Sequence, residues 1–168
     1  VPAGARVMFL GGSGQTFCAG ADRNWMSRMV CYTREQNVHD SSMLAKMYAV
    51  INECPLPVVG RITGAAIGGG VGLVAVCDIA VASPQTKFGL SEVKLGILPA
   101  VISPYVIAKI GASHARALFL TGERFDAERA LRIGLVHRVA EDVDTAIADV
   151  VGQLTTSGPD AVRGRRRL

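Results

Sequence analysis

The chain has 168 residues, 49% of them hydrophobic and 5% aromatic, with a formal net charge of +4. That length and apolar content fit a single domain with one sizeable core and exclude a disordered polypeptide. Arg163, Arg165, Arg166 and Arg167 carry most of the charge excess, so the body is near neutral and nucleic acid is not expected as a partner.

Arg6 to Leu10 is short, apolar and followed by glycine, which predicts a buried strand. The run Gly11, Gly12, Ser13, Gly14 comes next, but counting from Gly12 the third position of a dinucleotide fingerprint falls on Phe17. Leu44, Met47, Tyr48 and Ile51 recur at i, i+3, i+4 and i+7, the apolar stripe of a helix that Pro55 and Pro57 end. Leu56 to Ile62 and Asp78 to Ala82 read as two more buried strands. Strand, helix and strand in that order predict a right-handed βαβ crossover with parallel pairing, hence an α/β fold. Asp126 is a good N-cap for a helix to Ile133; Gly134 ends it, and Leu135 to Val139 is another short strand. Val143, Ile147, Val150, Val151 and Leu154 form a second amphipathic stripe, stopped at Ser157 to Pro159.

The most informative stretch is Val58 to Asp78, VVGRITGAAIGGGVGLVAVCD, an apolar strand that breaks at Gly68, Gly69 and Gly70 and resumes with small residues. Glycine tolerates positive φ and close backbone approach, and a helix starting there aims unpaired N–H donors outward, which suits an anion or a developing oxyanion. A phosphate-binding P-loop needs Lys then Ser or Thr after its last glycine, whereas Val71 and Gly72 follow here. Cys18, Cys31, Cys54 and Cys77 lack CxxC spacing and His39, His114 and His137 are scattered, so neither a metal site nor a disulfide framework is indicated. No signal-peptide pattern opens the chain, and its apolar stretches are interrupted within less than a bilayer span; a cytoplasmic location without membrane contact is the expectation.

The glycine turn, FCAGAD at Phe17 to Asp22, FGLSEVKLGILPA at Phe88 to Ala100 and GERFDAERALRIGLV at Gly122 to Val136 stand in order along the chain. With them it resembles the crotonase (enoyl-CoA hydratase/isomerase) superfamily. DRNWM at Asp22 to Met26, GGGVGLVAVCDIAVA at Gly68 to Ala82 and SEVKLGILPAVISPYV at Ser91 to Val106 resemble the bacterial methylglutaconyl-CoA hydratase subgroup, which works in leucine and acyclic terpenoid catabolism. The resemblance implies a spiral of ββα units with C-terminal helices that mediate trimers or dimers of trimers. It also implies an acyl-CoA thioester substrate and no separate cofactor, coenzyme A being part of the substrate. Members of the family are usually longer, so residues 1–168 are expected to form one crotonase-like domain lacking the usual N-terminal layer and last C-terminal helices.

By motif position the resemblance assigns the two oxyanion donors to the N–H groups of Ala21 and Gly69, and proton transfer to Glu92. Flanked by Leu90, Val93 and Leu95, Glu92 is expected to be partly desolvated with a raised pKa; a surface ion pair to Lys87 or Lys94 is the alternative. Ala19, Asp22 and Arg23 match the stretch along the coenzyme A path, and Trp25 and Met26 match a cover over the acyl pocket. Ile67, Gly68 and Ser91, which flank the donors and the acid, are expected to bind the substrate with them, and Ile97 to Val101, with Pro99, is expected to wall the pocket. Gly72 stands where the best-known hydratases carry a first glutamate, and the expectation is that it opens space for a methyl-branched acyl chain. An isomerase, a decarboxylase or a thioesterase on the same scaffold, a non-catalytic acyl-CoA binder, and an RNA-binding role for the arginine tail are the competing readings.

Overall fold

The computed structural model describes residues 4–164. Arg165, Arg166 and Arg167 of the basic tail lie outside the described residues, as do the side chains of Arg163 and Arg23.

Four strands, β1 (Met8–Gly11), β2 (Val58–Ile62), β4 (Ile79–Ala82) and β7 (Arg138–Val139), pair in the order β1-β2-β4-β7, all parallel. A second sheet joins β3 (Ala65–Ile67), β5 (Lys87–Gly89) and β6 (Arg124–Asp126), with β3 parallel and β6 antiparallel to β5. The strands expected at Arg6 to Leu10, Leu56 to Ile62 and Asp78 to Ala82 are present with slightly shifted ends, and the first two are parallel neighbours as the crossover argument requires. The α/β reading holds.

The crossover contains α1 (Arg23–Met29) and α2 (Arg34–Asn52). A capping box starts α2: the Thr33 hydroxyl accepts from Gln36 N–H while the Gln36 side chain accepts from Thr33 N–H. On its inner stripe Tyr48 is buried, and Leu44 and Ile51 pack half-buried against the core. Met47, expected on that stripe, is 40% exposed, because the helix rests on the core along a narrower face than the spacing implied.

Alternation along β2 divides the core. Val58 and Ile62 face the larger cluster, with Tyr48, Val71, Phe88, Leu90, Ile102 and Leu118. Val59 faces the opposite way, joining Val81 of β4 under Val143, Ile147 and Val150 of α6 (Val143–Thr156). Arg61, on the α6 side, donates to both oxygens of Asp144 at 2.7 and 2.9 Å. The Asp126 cap is present: its carboxylate accepts from Arg129 N–H at 2.9 Å and starts α5 (Ala127–Arg132). Three α-helices were not foreseen: α1, α4 (Ser103–Thr121), broken at Gly111 where φ is 77°, and α7 (Pro159–Gly164). Among the described residues no helix is long and apolar enough to cross a membrane.

Candidate active site

Two loops that are distant in sequence are zipped together by their backbones. The segment before Ala21 pairs with β3: Cys18 N–H donates to Ala65 O at 3.0 Å and Ile67 N–H donates to Cys18 O at 2.9 Å. Beside that bridge each loop sets a glycine against the backbone of the other. Gly20 has φ 98°, and a Cβ there would stand 3.1 Å from Ile67 O; a Cβ on Gly70 would stand 2.5 Å from Cys18 O. Any side chain at Gly70 would wedge the loops apart, so smallness here is a condition of the approach.

Gly68, at φ 54° and ψ −118°, turns the chain from β3 into α3 (Gly69–Ala75), and its N–H donates to Gly89 O at 2.8 Å. The N–H groups of Gly69 and Ala21 find no acceptor among the described residues. Free donors on two abutting loops are what a thioester oxygen would need as it gains negative charge.

Glu92 sits in the 3-10 turn Ser91–Leu95, which follows β5 and closes at Gly96 with φ 72°. Its carboxylate lies on the glycine turn: Oε1 is 3.0 Å from where a Cβ of Gly68 would be, and Oε2 is buried without a hydrogen-bond partner. Burial raises the Glu92 pKa above the ordinary value of 4.5, and a bond from its own backbone N–H pulls weakly the other way. Among the described residues no ion pair joins it to Lys87 or Lys94. Leu90 is buried, but Val93 and Leu95 are 37% and 62% exposed. Of the apolar neighbours expected to shield the carboxylate Leu90 is the buried one, and the glycine turn adds its own close contact.

The expectation for Gly72 is overturned. A Cβ there would collide with Ile102 Cγ2, lie 2.9 Å from Ile102 Cβ and 3.0 Å from Tyr48 Cε1. Gly72 is buried and opens no space, because an isoleucine and a tyrosine ring already fill what a side chain would occupy. The Tyr48 hydroxyl reaches past this contact and donates to Gly69 O at 2.8 Å. Burial holds the Tyr48 phenol well above its usual pKa, and the nearby Cys18 and Glu92 charges push the same way. Tyr48 was read from the sequence only as one member of an apolar stripe. The available signal was that a buried tyrosine needs a partner for its hydroxyl.

The remaining predicted positions spread outward from this centre. Ile67 and Ser91 are half-buried beside the turn, and Ala19, Ala21 and Asp22 are exposed on the first loop. The Asp22 side chain has a local task, accepting from Trp25 N–H at 2.8 Å as the N-cap of α1. Trp25 and Met26 are half-buried, and the Trp25 indole donates to Asp40 Oδ2 at 3.1 Å, tying α1 to α2. Along Ile97 to Val101, Pro99 is buried, while Ile97 is 45% and Leu98 82% exposed.

Residues 3–165 match the family model described as enoyl-CoA hydratase/isomerase. Enoyl-CoA hydratase ACTT6 of Alternaria alternata is 35% identical over 159 residues, 90% of this chain and 50% of that protein. The mitochondrial Delta(3,5)-Delta(2,4)-dienoyl-CoA isomerase of Dictyostelium discoideum is 33% identical over 153 residues, 86% of this chain and 52% of that protein. The crystal structure of an enoyl-CoA hydratase from Shewanella pealeana superposes with a TM-score of 0.94 at 39% identity, covering 96% of this chain and 61% of the other. The chain thus spans about half the length of these curated relatives.

Proposed function

The chain belongs to the enoyl-CoA hydratase/isomerase family, and on that premise we propose that it adds water to a 2-enoyl-CoA thioester or removes it in the reverse direction. The observation that carries this reading is the juxtaposition of Glu92, whose buried Oε2 has no partner, with a glycine turn whose Gly69 N–H is free beside the Ala21 loop.

In the forward reaction the ionised Glu92 carboxylate takes a proton from water, and the water oxygen bonds to Cβ of the substrate. The π electrons move through Cα to the thioester oxygen, where the Ala21 and Gly69 N–H groups hold the enolate. The enolate then collapses, and Glu92 returns the proton to Cα. Each donor is worth about 3 kcal/mol of transition-state stabilisation in such sites. One carboxylate serves as base and then acid, so both proton transfers occur on one face of the double bond. The thioester itself is the electron sink, which is why no cofactor enters the proposal.

3-Methylglutaconyl-CoA is the substrate to assay first. Its support is the run of subgroup motifs from Asp22 to Val106, no longer any space at Gly72. Loss of the conjugated enoyl-thioester absorbance follows hydration directly. Glu92→Gln keeps the shape and removes the base, and its expected effect is a fall in turnover of at least about a hundredfold. Near-normal turnover would remove Glu92 from the mechanism. A single carboxylate also fits a double-bond isomerase, which relays one proton between carbons; conversion of a 3-enoyl-CoA without water uptake would favour that second reading.

A further inference from the structure

We propose that Tyr48 is a positioning residue of this site: its hydroxyl holds the Gly69–Gly70 peptide, directly after the Gly68–Gly69 peptide that carries the free N–H, and so fixes Gly69 with its N–H aimed at the substrate carbonyl, while its ring and Ile102 occupy the place in front of Gly72. The inference rests on the oxyanion-hole reading above and extends it to a residue outside the two loops.

Gly69 has no side chain to fix its conformation, and the residue before it sits at positive φ. A peptide of this kind holds one orientation only if its neighbours hold it. The peptide that carries the free N–H is held at its own carbonyl, Gly68 O, by Val71 N–H at 2.9 Å and Gly72 N–H at 3.3 Å, and two further hydrogen bonds fix the peptides on either side of it. On one side Gly68 N–H donates to Gly89 O at 2.8 Å, and on the other Tyr48 Oη donates to Gly69 O at 2.8 Å. The second clamp is rigid. Tyr48 is 2% exposed, its ring packs 5.9 Å from that of Tyr105, and its edge lies 3.0 Å from where a Gly72 Cβ would be. A Cβ on Gly69 would lie 2.9 Å from Tyr48 Oη, so the hydroxyl stands directly against the residue it holds.

The same packing accounts for the lone acid. A glutamate at position 72 would have to displace Ile102 and the Tyr48 ring, and in doing so would release the clamp on Gly69. The chain therefore gives up a second carboxylate and gains a fixed donor, and Glu92 carries the proton transfers unaided.

The test uses Tyr48→Phe, which keeps the ring and deletes the clamp, with Thr86→Val as a control that deletes a different buried hydroxyl, one that donates to Ile62 O. The probe is butyryl-CoA carrying a ¹³C-labelled thioester carbonyl, read by infrared difference spectroscopy. Wild-type and Thr86→Val proteins are expected to shift the carbonyl band to lower frequency on binding, and Tyr48→Phe is expected to lose most of that shift. In turnover, Tyr48→Phe should lower kcat about ten- to a hundredfold with KM within about threefold. A wild-type band shift and kcat in Tyr48→Phe would overturn the proposal. Should Tyr48→Phe not fold, 4-fluorophenylalanine at position 48 fills the hydroxyl's place without donating a hydrogen bond, and a wild-type band shift there would overturn the proposal equally. A wild-type protein that shifts the band but hydrates nothing would sink the hydratase reading and leave Tyr48 to be judged on the band alone. One that binds no thioester would sink both.

Discussion

Glu92 carries a burial cost that can be read directly in stability. Its Oε2 is buried with no partner, and its pKa is raised by burial. A carboxyl with a raised folded-state pKa binds its proton more tightly when folded than when unfolded. Its favourable contribution to stability is therefore complete below the unfolded value and is lost as pH rises through the folded one. Glu92→Gln removes that dependence. The variant should match the wild type in thermal stability below the ordinary glutamate value of 4.5 and exceed it at neutral pH, measured as melting temperature against pH. An equal advantage at every pH would show that the burial of charge is not its source. On the proposed mechanism activity should run the opposite way, because Glu92 would accept a proton only when ionised. The acid limb of the hydration profile is expected above the ordinary glutamate value of 4.5, in the direction burial moves it.

At the scale of elements, the docking of α3 onto α2 and α4 governs the site, and Gly72 is its closest point. Even a methyl group there meets Ile102 Cβ at 2.9 Å and Tyr48 Cε1 at 3.0 Å. Gly72→Ala is expected to destabilise the fold by about 1–3 kcal/mol through overpacking, read by urea denaturation. Its effect on kcat should exceed its effect on KM, since the strain falls on the Tyr48 ring. An unchanged midpoint would mean that Ile102 can move aside. Sequence made part of this element map legible. The βαβ unit announced itself because β1 and β2 lie in short, mostly apolar runs bounded by glycine or proline and α2 between them carries a stripe. The second sheet did not, because its strands are three residues each, too short for a period of two to register. The broken helix α4 was hidden by Gly111, whose φ of 77° interrupts the helical period midway. The site followed the same logic. Glycine runs and Glu92 could be seen in one dimension, whereas the contact of Tyr48 with Gly69 and Gly72 exists only after α2 has packed across α3.

Over the whole molecule, the first sheet acts as a partition between a face that builds the site and a face that supports it. Strand alternation places Val58, Ile62, Ala80 and Ala82 with Tyr48, Val71 and Leu90 on one side, and Val59 and Val81 with α6 on the other. The apolar contacts of the second side are made by few residues, Val143, Ile147 and Val150 of α6 being its buried helical contribution. Truncating Ile147, which is 7% exposed, to alanine should therefore cost about 2–5 kcal/mol. Because the sheet lies between that cavity and the glycine turn, the loss should appear in stability and not in chemistry. Ile147→Ala is expected to lower the melting temperature while kcat per folded molecule, measured well below the melt, stays at the wild-type value. A kcat that falls in proportion to the stability loss would mean that the sheet transmits strain from α6 to the Gly68 turn, and that the two faces act as one unit.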